Sequence, residues 1–195
     1  MDSVNLKKTR FMVFTALMAA LSFAATYIHI QFSLGGASSS MVHLGSAVCF
    51  IAALLLGDLA GGLAGGIGMT LYDLLNGYMM TAPWTLVIKF LTGFVVGKIA
   101  WSRGRRGNDQ KTNFIACLAG GAVSLVGYAI CDFVNSLIKF YTGSAHTGNA
   151  ITLALVKVGT GIVGSLATTL IAIIIAVPFN DSIKKALSKS KLLQD

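Results

Sequence analysis

Four ionisable residues, Asp73, Lys89, Asp132 and Lys157, lie inside long apolar stretches of this 195-residue chain. A charge at membrane depth is costly, and it persists where it pairs with another charge or meets a solute. Tyr128, Asp132, Asn135 and Lys139 recur at intervals of four, three and four residues, which puts them on one helix face. Such a stripe would be wasted against lipid, so it should face the interior. Apolar walls with a few convergent polar groups are the make-up of a small-molecule site. Two chemistries stay open for the four charges. They form two internal ion pairs, Asp73 with Lys89 and Asp132 with Lys157, or at least one of them contacts a polar ligand that replaces a partner charge. Tyr27, His29, His43, Tyr78, Trp84 and Asn149 would ring the mouth of the pocket. Each of these also suits an interfacial aromatic or a loop cap, and His43 suits the cap of a second helix.

Catalysis has little support. No nucleophile elbow or His/Glu metal motif sits on a suitable element, and the Gly-rich run at 57–68 lacks the Lys-Ser/Thr end of a phosphate loop. Cys49, Cys117 and Cys131 lack metal-ligand spacing and read as small buried hydrophobes. The sequence therefore predicts a protein that is not an enzyme and holds no metal or cofactor. With no nucleotide-binding domain in view, energy for uphill transport must come from another subunit or from coupled ions.

The elements that position these residues follow from composition and charge. The chain is 55% hydrophobic and 11% charged, with a mean hydropathy of +0.76. A soluble domain would have about a quarter of its residues charged, so the outer surface here must face lipid. Twelve of the 15 Lys and Arg residues fall in three clusters: 7–10, 98–111 and 184–191. Short basic loops mark the cytoplasmic face, which predicts an even number of spans with both termini inside. Attraction to anionic headgroups accounts for the net charge of +8 better than nucleic acid does.

Apolar runs of about 20 residues predict one integral membrane domain over 1–195, an all-α bundle of six transmembrane helices. The spans are 11–30, 44–57, 60–77, 83–101, 113–141 and 150–177. The second and third are short, and a single re-entrant hairpin is the alternative for them. Pro83 suits a first helical turn, and Pro178 with Asn180-Asp181 is expected to end the sixth helix. In this arrangement the four buried charges all lie in the outer half of the bundle. Small residues at four-residue spacing mark close helix contacts in lipid. Gly57, Gly61 and Gly65, and likewise Gly93 and Gly97, read as packing within the chain. The Ala16, Ala20 and Ala24 stripe could instead receive a partner's helix.

Taken in order, several segments resemble one known family. They are the alanine stripe, Met41-Val42-His43-Leu44-Gly45, the run from Ala53 to Gly62, Ala64 to Gly68, Tyr72-Asp73-Leu74, Gly77-Tyr78, Ala82 to Leu86 and Ile88-Lys89. The chain resembles, over nearly all its length, the substrate-binding S component of energy-coupling factor (ECF) vitamin transporters. The local pattern is most similar to the subgroup for riboflavin, pyridoxine and hydroxymethylpyrimidine. The resemblance implies a multi-pass protein of the bacterial plasma membrane that captures a vitamin outside. It would dock on a transmembrane coupling subunit carrying two ATPases, which use the ATP, and topple to release its cargo. It implies coupling-subunit contacts at Ala16, Ala20 and Ala24, a gate at 31–43, and pocket contacts near Trp84, Lys89, Asp132, Asn135 and Lys157. Few aromatics stand in the outer loops to sandwich a flavin, which favours a smaller heteroaromatic such as pyridoxine. Riboflavin or hydroxymethylpyrimidine is the alternative, and a stand-alone ion-coupled carrier or channel is the alternative from another class.

Overall fold

The computed structural model describes residues 3–33, 39–142 and 150–189. Six α-helices stand among them: α1 (Ser3–Thr26), α2 (Gly45–Leu56), α3 (Asp58–Leu75), α4 (Ala82–Ala100), α5 (Gln110–Tyr141) and α6 (Ala150–Lys189). Four of the six, α1, α4, α5 and α6, are long and apolar enough to cross a membrane. Five glycines dilute the hydropathy of α3. The 12 residues of α2 rise only about 18 Å.

The position of α2 explains its length. Nine of its 12 residues are buried, so it meets protein rather than lipid on nearly every side. Phe50, Ile51 and Leu54 pack with Val96 and Ala100 of α4, Ala116 and Cys117 of α5, and Ile173 and Ala176 of α6. All three cysteines are buried. Gly57, with a φ of 96°, turns the chain directly from α2 into α3; the indole of Trp101 lies over it and donates to the Leu54 carbonyl at 3.1 Å.

Glycine brings α3 and α4 together. A Cβ on Gly93 would fall 2.3 Å from the Gly61 carbonyl oxygen, and one on Gly97 would fall 2.4 Å from the Asp58 Cα. Both obstacles are backbone and cannot rotate away. Gly93→Ala is therefore expected to destabilise the protein by about 1–3 kcal/mol, the range for an overpacked core. A thermal melt in detergent indistinguishable from wild type would show that these helices have slack.

Three expectations are corrected. The first helix runs from Ser3 to Thr26, not from 11 to 30, and the segment after it is not simply loop. His29–Ser33 and Ser39–His43 pair as an antiparallel hairpin, β1–β2, in the register His29↔His43 and Gln31↔Met41. Strand pairing satisfies the backbone there better than a frayed helix end would. The fifth helix starts at Gln110 because Asp109 caps it, accepting from the backbone N–H of Lys111 at 3.3 Å. The sixth helix runs through Pro178 to Lys189. Proline removes one helical bond, but tertiary contacts hold the turns beyond it: Asn180 donates to the Gly107 carbonyl at 3.0 Å, and Lys184 to the Asn108 side-chain oxygen at 3.0 Å.

Candidate functional site

At the hairpin end, the helices leave a cavity of about 150 Å³. Its lining repeats one spacing on three helices. The N-cap residue of α4 and α4 itself supply Thr81, Thr85 and Lys89; α5 supplies Ser124, Tyr128 and Asp132; α6 supplies Lys157, Gly161, Ser165, Thr168 and Thr169. Steps of four keep each set on one face. Asp73 of α3, Tyr78 of the α3–α4 connection, and Gln31, Ser39, Ser40, Met41 and His43 of the hairpin complete the lining.

The four charges divide in two ways. Lys157 pairs with Asp132 at 3.8 Å and also donates to the Ser39 carbonyl at 2.5 Å, so α5, α6 and the hairpin meet at one ammonium. Asp73 and Lys89 make no such pair. Thr85 donates to a carboxylate oxygen of Asp73 at 2.5 Å, and Tyr128 donates in turn to the Thr85 hydroxyl at 3.3 Å. Lys89 donates to Ser46 at 2.9 Å and Ser124 at 3.2 Å, with its nitrogen 5.1 Å from the centre of the Tyr128 ring. Asp73 is 5% exposed and Lys89 3%. Two opposite charges thus stand in one cavity, each solvated by hydroxyls.

The hairpin closes one side of the cavity. Gly164 lets it seat on α6, since a Cβ there would fall 2.2 Å from the Ser40 hydroxyl. Gln31 donates to the Tyr78 hydroxyl at 2.8 Å, tying β1 to the α3–α4 connection. The buried Nδ1 of His43 has no hydrogen-bond partner among the described residues.

Of the residues expected at the site, His43, Tyr78, Lys89, Tyr128, Asp132 and Lys157 converge on the cavity. Trp84 and Asn135 do not line it. Trp84 precedes Thr85 by one position, about 100° around the helix, and Thr85 takes the inward place. Asn135 is buried but donates to the Cys131 sulfur at 3.3 Å on its own helix. Its expected companion Lys139 is exposed, so the inward stripe of α5 runs from Ser124 to Asp132 instead. Tyr27 and His29 sit beside the site in an aromatic cluster with Tyr72. Asn149 lies outside the described residues. Sequence reasoning missed the hydroxyls Thr81, Thr85, Ser124, Ser165, Thr168 and Thr169. Their spacing from Lys89, Tyr128 and Gly161 was the available signal.

On the outer surface of α1, Ala16, Ala20 and Ala24 are all exposed, while Thr15, Ala19, Ser22 and Thr26 form the face buried against α2 and α3.

Apolar helices around a small polar cavity define an integral membrane protein that binds a solute. Residues 6–185 match the family described as "ECF-type riboflavin transporter, S component", and the chain belongs to that family. It is thus a vitamin-binding S component, a class of protein that works with the ECF module. A curated relative from Pyrococcus woesei, described as an uncharacterized protein in the gap 3' region, is 32% identical over 120 residues, covering 55% of this chain and 77% of its own. ThiT from Listeria monocytogenes shares the fold: a TM-score of 0.59 at 18% identity, over 92% of this chain and 97% of that one.

Proposed function

We propose that this S component captures a one-ring, polar heteroaromatic vitamin of the pyridoxine type. The observation that carries this is the cavity itself. A space of about 150 Å³ bounded by Tyr78, Tyr128, buried charges and a row of hydroxyls suits a single ring with several polar substituents. A tricyclic flavin with its ribityl chain asks for more aromatic surface than Tyr78 and Tyr128 offer. The cavity faces the exterior and both termini lie in the cytoplasm of a bacterial cell, a reading supported by the basic loop at 102–111 and the basic tail at the opposite end of the bundle. The loaded protein docks through the exposed alanine face of α1 on a coupling subunit with two ATPases and topples to deliver its cargo.

Riboflavin is the second reading, favoured by the description of the matching family. Purified protein titrated with pyridoxine, hydroxymethylpyrimidine and riboflavin decides between them. Pyridoxine is expected to bind most tightly; tight riboflavin binding with no detectable pyridoxine binding would overturn the one-ring reading. Within the site, Asp132→Ala should weaken binding by about 1–3 kcal/mol, since it leaves the half-buried Lys157 without its ionic partner. Unchanged affinity would place the ligand away from α5. Uptake into vesicles by this chain alone, driven by an ion gradient, would instead support a stand-alone carrier.

A further inference from the structure

Lys89 is a buried cation that makes no ion pair within 4 Å among the described residues; the opposite charge of Asp73 stands in the same cavity but out of contact. The chain has seven acidic residues, all Asp, and only Asp73 and Asp132 line the same cavity. Asp132 is engaged by Lys157, and Asp73 makes no ion pair with Lys89. An ammonium has three hydrogens to donate. Ser46 and Ser124 take two, and beyond them stands the face of Tyr128. On the other side, one oxygen of Asp73 receives the Thr85 hydroxyl. Neutral hydroxyls compensate a buried charge only in part, and an ion left without an opposite charge in a low-dielectric site costs several kcal/mol. Fixed charges held apart in one cavity act on whatever enters it as a dipole.

Resting on the one-ring reading above, we infer that the pocket selects its ligand in dipolar form, with an anionic ring oxygen on Lys89 and a protonated ring nitrogen on Asp73. A 3-hydroxypyridine ring supplies both groups by moving one proton from its hydroxyl to its ring nitrogen, with no change in net charge. The ligand then brings an anion into direct contact with Lys89 and gives Asp73 a cationic donor. A ring of the same size without the hydroxyl stays neutral at that edge and leaves Lys89 as it was. Lys157 and Asp132, already paired, have no comparable demand.

The test is calorimetric titration of the full chain in detergent with two probes: pyridoxine, and its counterpart lacking the ring hydroxyl. In wild type, loss of the hydroxyl should weaken binding by more than about tenfold, the equivalent of about 1.4 kcal/mol. Lys89→Met should weaken pyridoxine binding by at least the same factor and leave the hydroxyl-free analogue nearly unchanged. If both probes bind wild type equally, the inference fails while the one-ring reading stands. Failure of pyridoxine to bind at all removes that reading and this inference with it. Should Lys89→Met not fold, the comparison of the two probes on wild type still decides.

Discussion

Ala20→Trp is expected to abolish uptake by the assembled transporter while leaving the affinity of the isolated S component for its vitamin unchanged. The separation of the two effects follows from the faces of α1. Its inward face is Thr15, Ala19, Ser22 and Thr26, and Ser22 donates to the Gly45 carbonyl at 3.2 Å. Ala20 lies on the outward side with Ala16 and Ala24. A side chain enlarged there points away from the face that packs on α2 and α3. Between helices in lipid, by contrast, association depends on close van der Waals packing, and small residues permit it. A Trp side chain would hold a docking helix away along the stripe. Uptake should fall below about a tenth of wild type, a loss of more than about 1.4 kcal/mol of docking free energy. Vitamin titration of the isolated subunit and uptake by vesicles bearing the whole complex, measured together, distinguish docking from binding. Normal uptake would move the docking face elsewhere, and lost affinity would mean α1 shapes the pocket.

The sequence made the bundle legible because lipid imposes strong rules on composition. Long apolar runs mark the same six stretches that are helical among the described residues, four of them long and apolar enough to cross a membrane, although the first helix begins at Ser3 and not at 11. The larger errors have local causes. Proline at 178 reads as a stop, yet distant partners, Gly107 for Asn180 and Asn108 for Lys184, hold the helix beyond it. No periodicity rule registers such contacts. The hairpin was hidden for a similar reason, since its five-residue strands are short and separated by small residues. For α2, brevity suggested a marginal span, whereas it is a central element that needs no lipid-facing length.

The site was legible in part. Charges inside apolar runs are rare enough to single out Asp73, Lys89, Asp132 and Lys157 without any coordinates, and all four line one cavity. Pairing was legible for Asp132 with Lys157 but not for Asp73 and Lys89. Similar depth on neighbouring helices suggested two equivalent pairs, but pairing also depends on rotation about each helix axis. That rotation brings Lys157 to Asp132 and turns Lys89 toward Ser46 of α2 and Ser124 of α5. Extending the α5 stripe by mixed steps of three and four led to Asn135, whereas the observed wall advances by fours.

Gly161 sets the width of the cavity, and filling it should give the largest loss of binding of any single substitution on α6. A Cβ at this position would fall 2.1 Å from Oδ2 of Asp132. Gly161→Val places three carbons there, so the carboxylate must swing away, the 3.8 Å pair with Lys157 must break, and the branched side chain enters the space left for the ligand. An overpacked site of this kind costs about 1–3 kcal/mol, which corresponds to a loss of affinity of up to about a hundredfold. Gly159 provides the control two residues away. It is exposed, and a Cβ there would have no neighbour within 4 Å, so Gly159→Val changes the same helix by the same increment of volume and branching. Calorimetric titration should therefore show near-normal binding for Gly159→Val and severe loss for Gly161→Val, with both proteins eluting as single species in detergent. Equal affinities for the two variants would mean that the ligand does not occupy the space between Asp132 and α6. The vitamin site would then have to be sought elsewhere in the bundle.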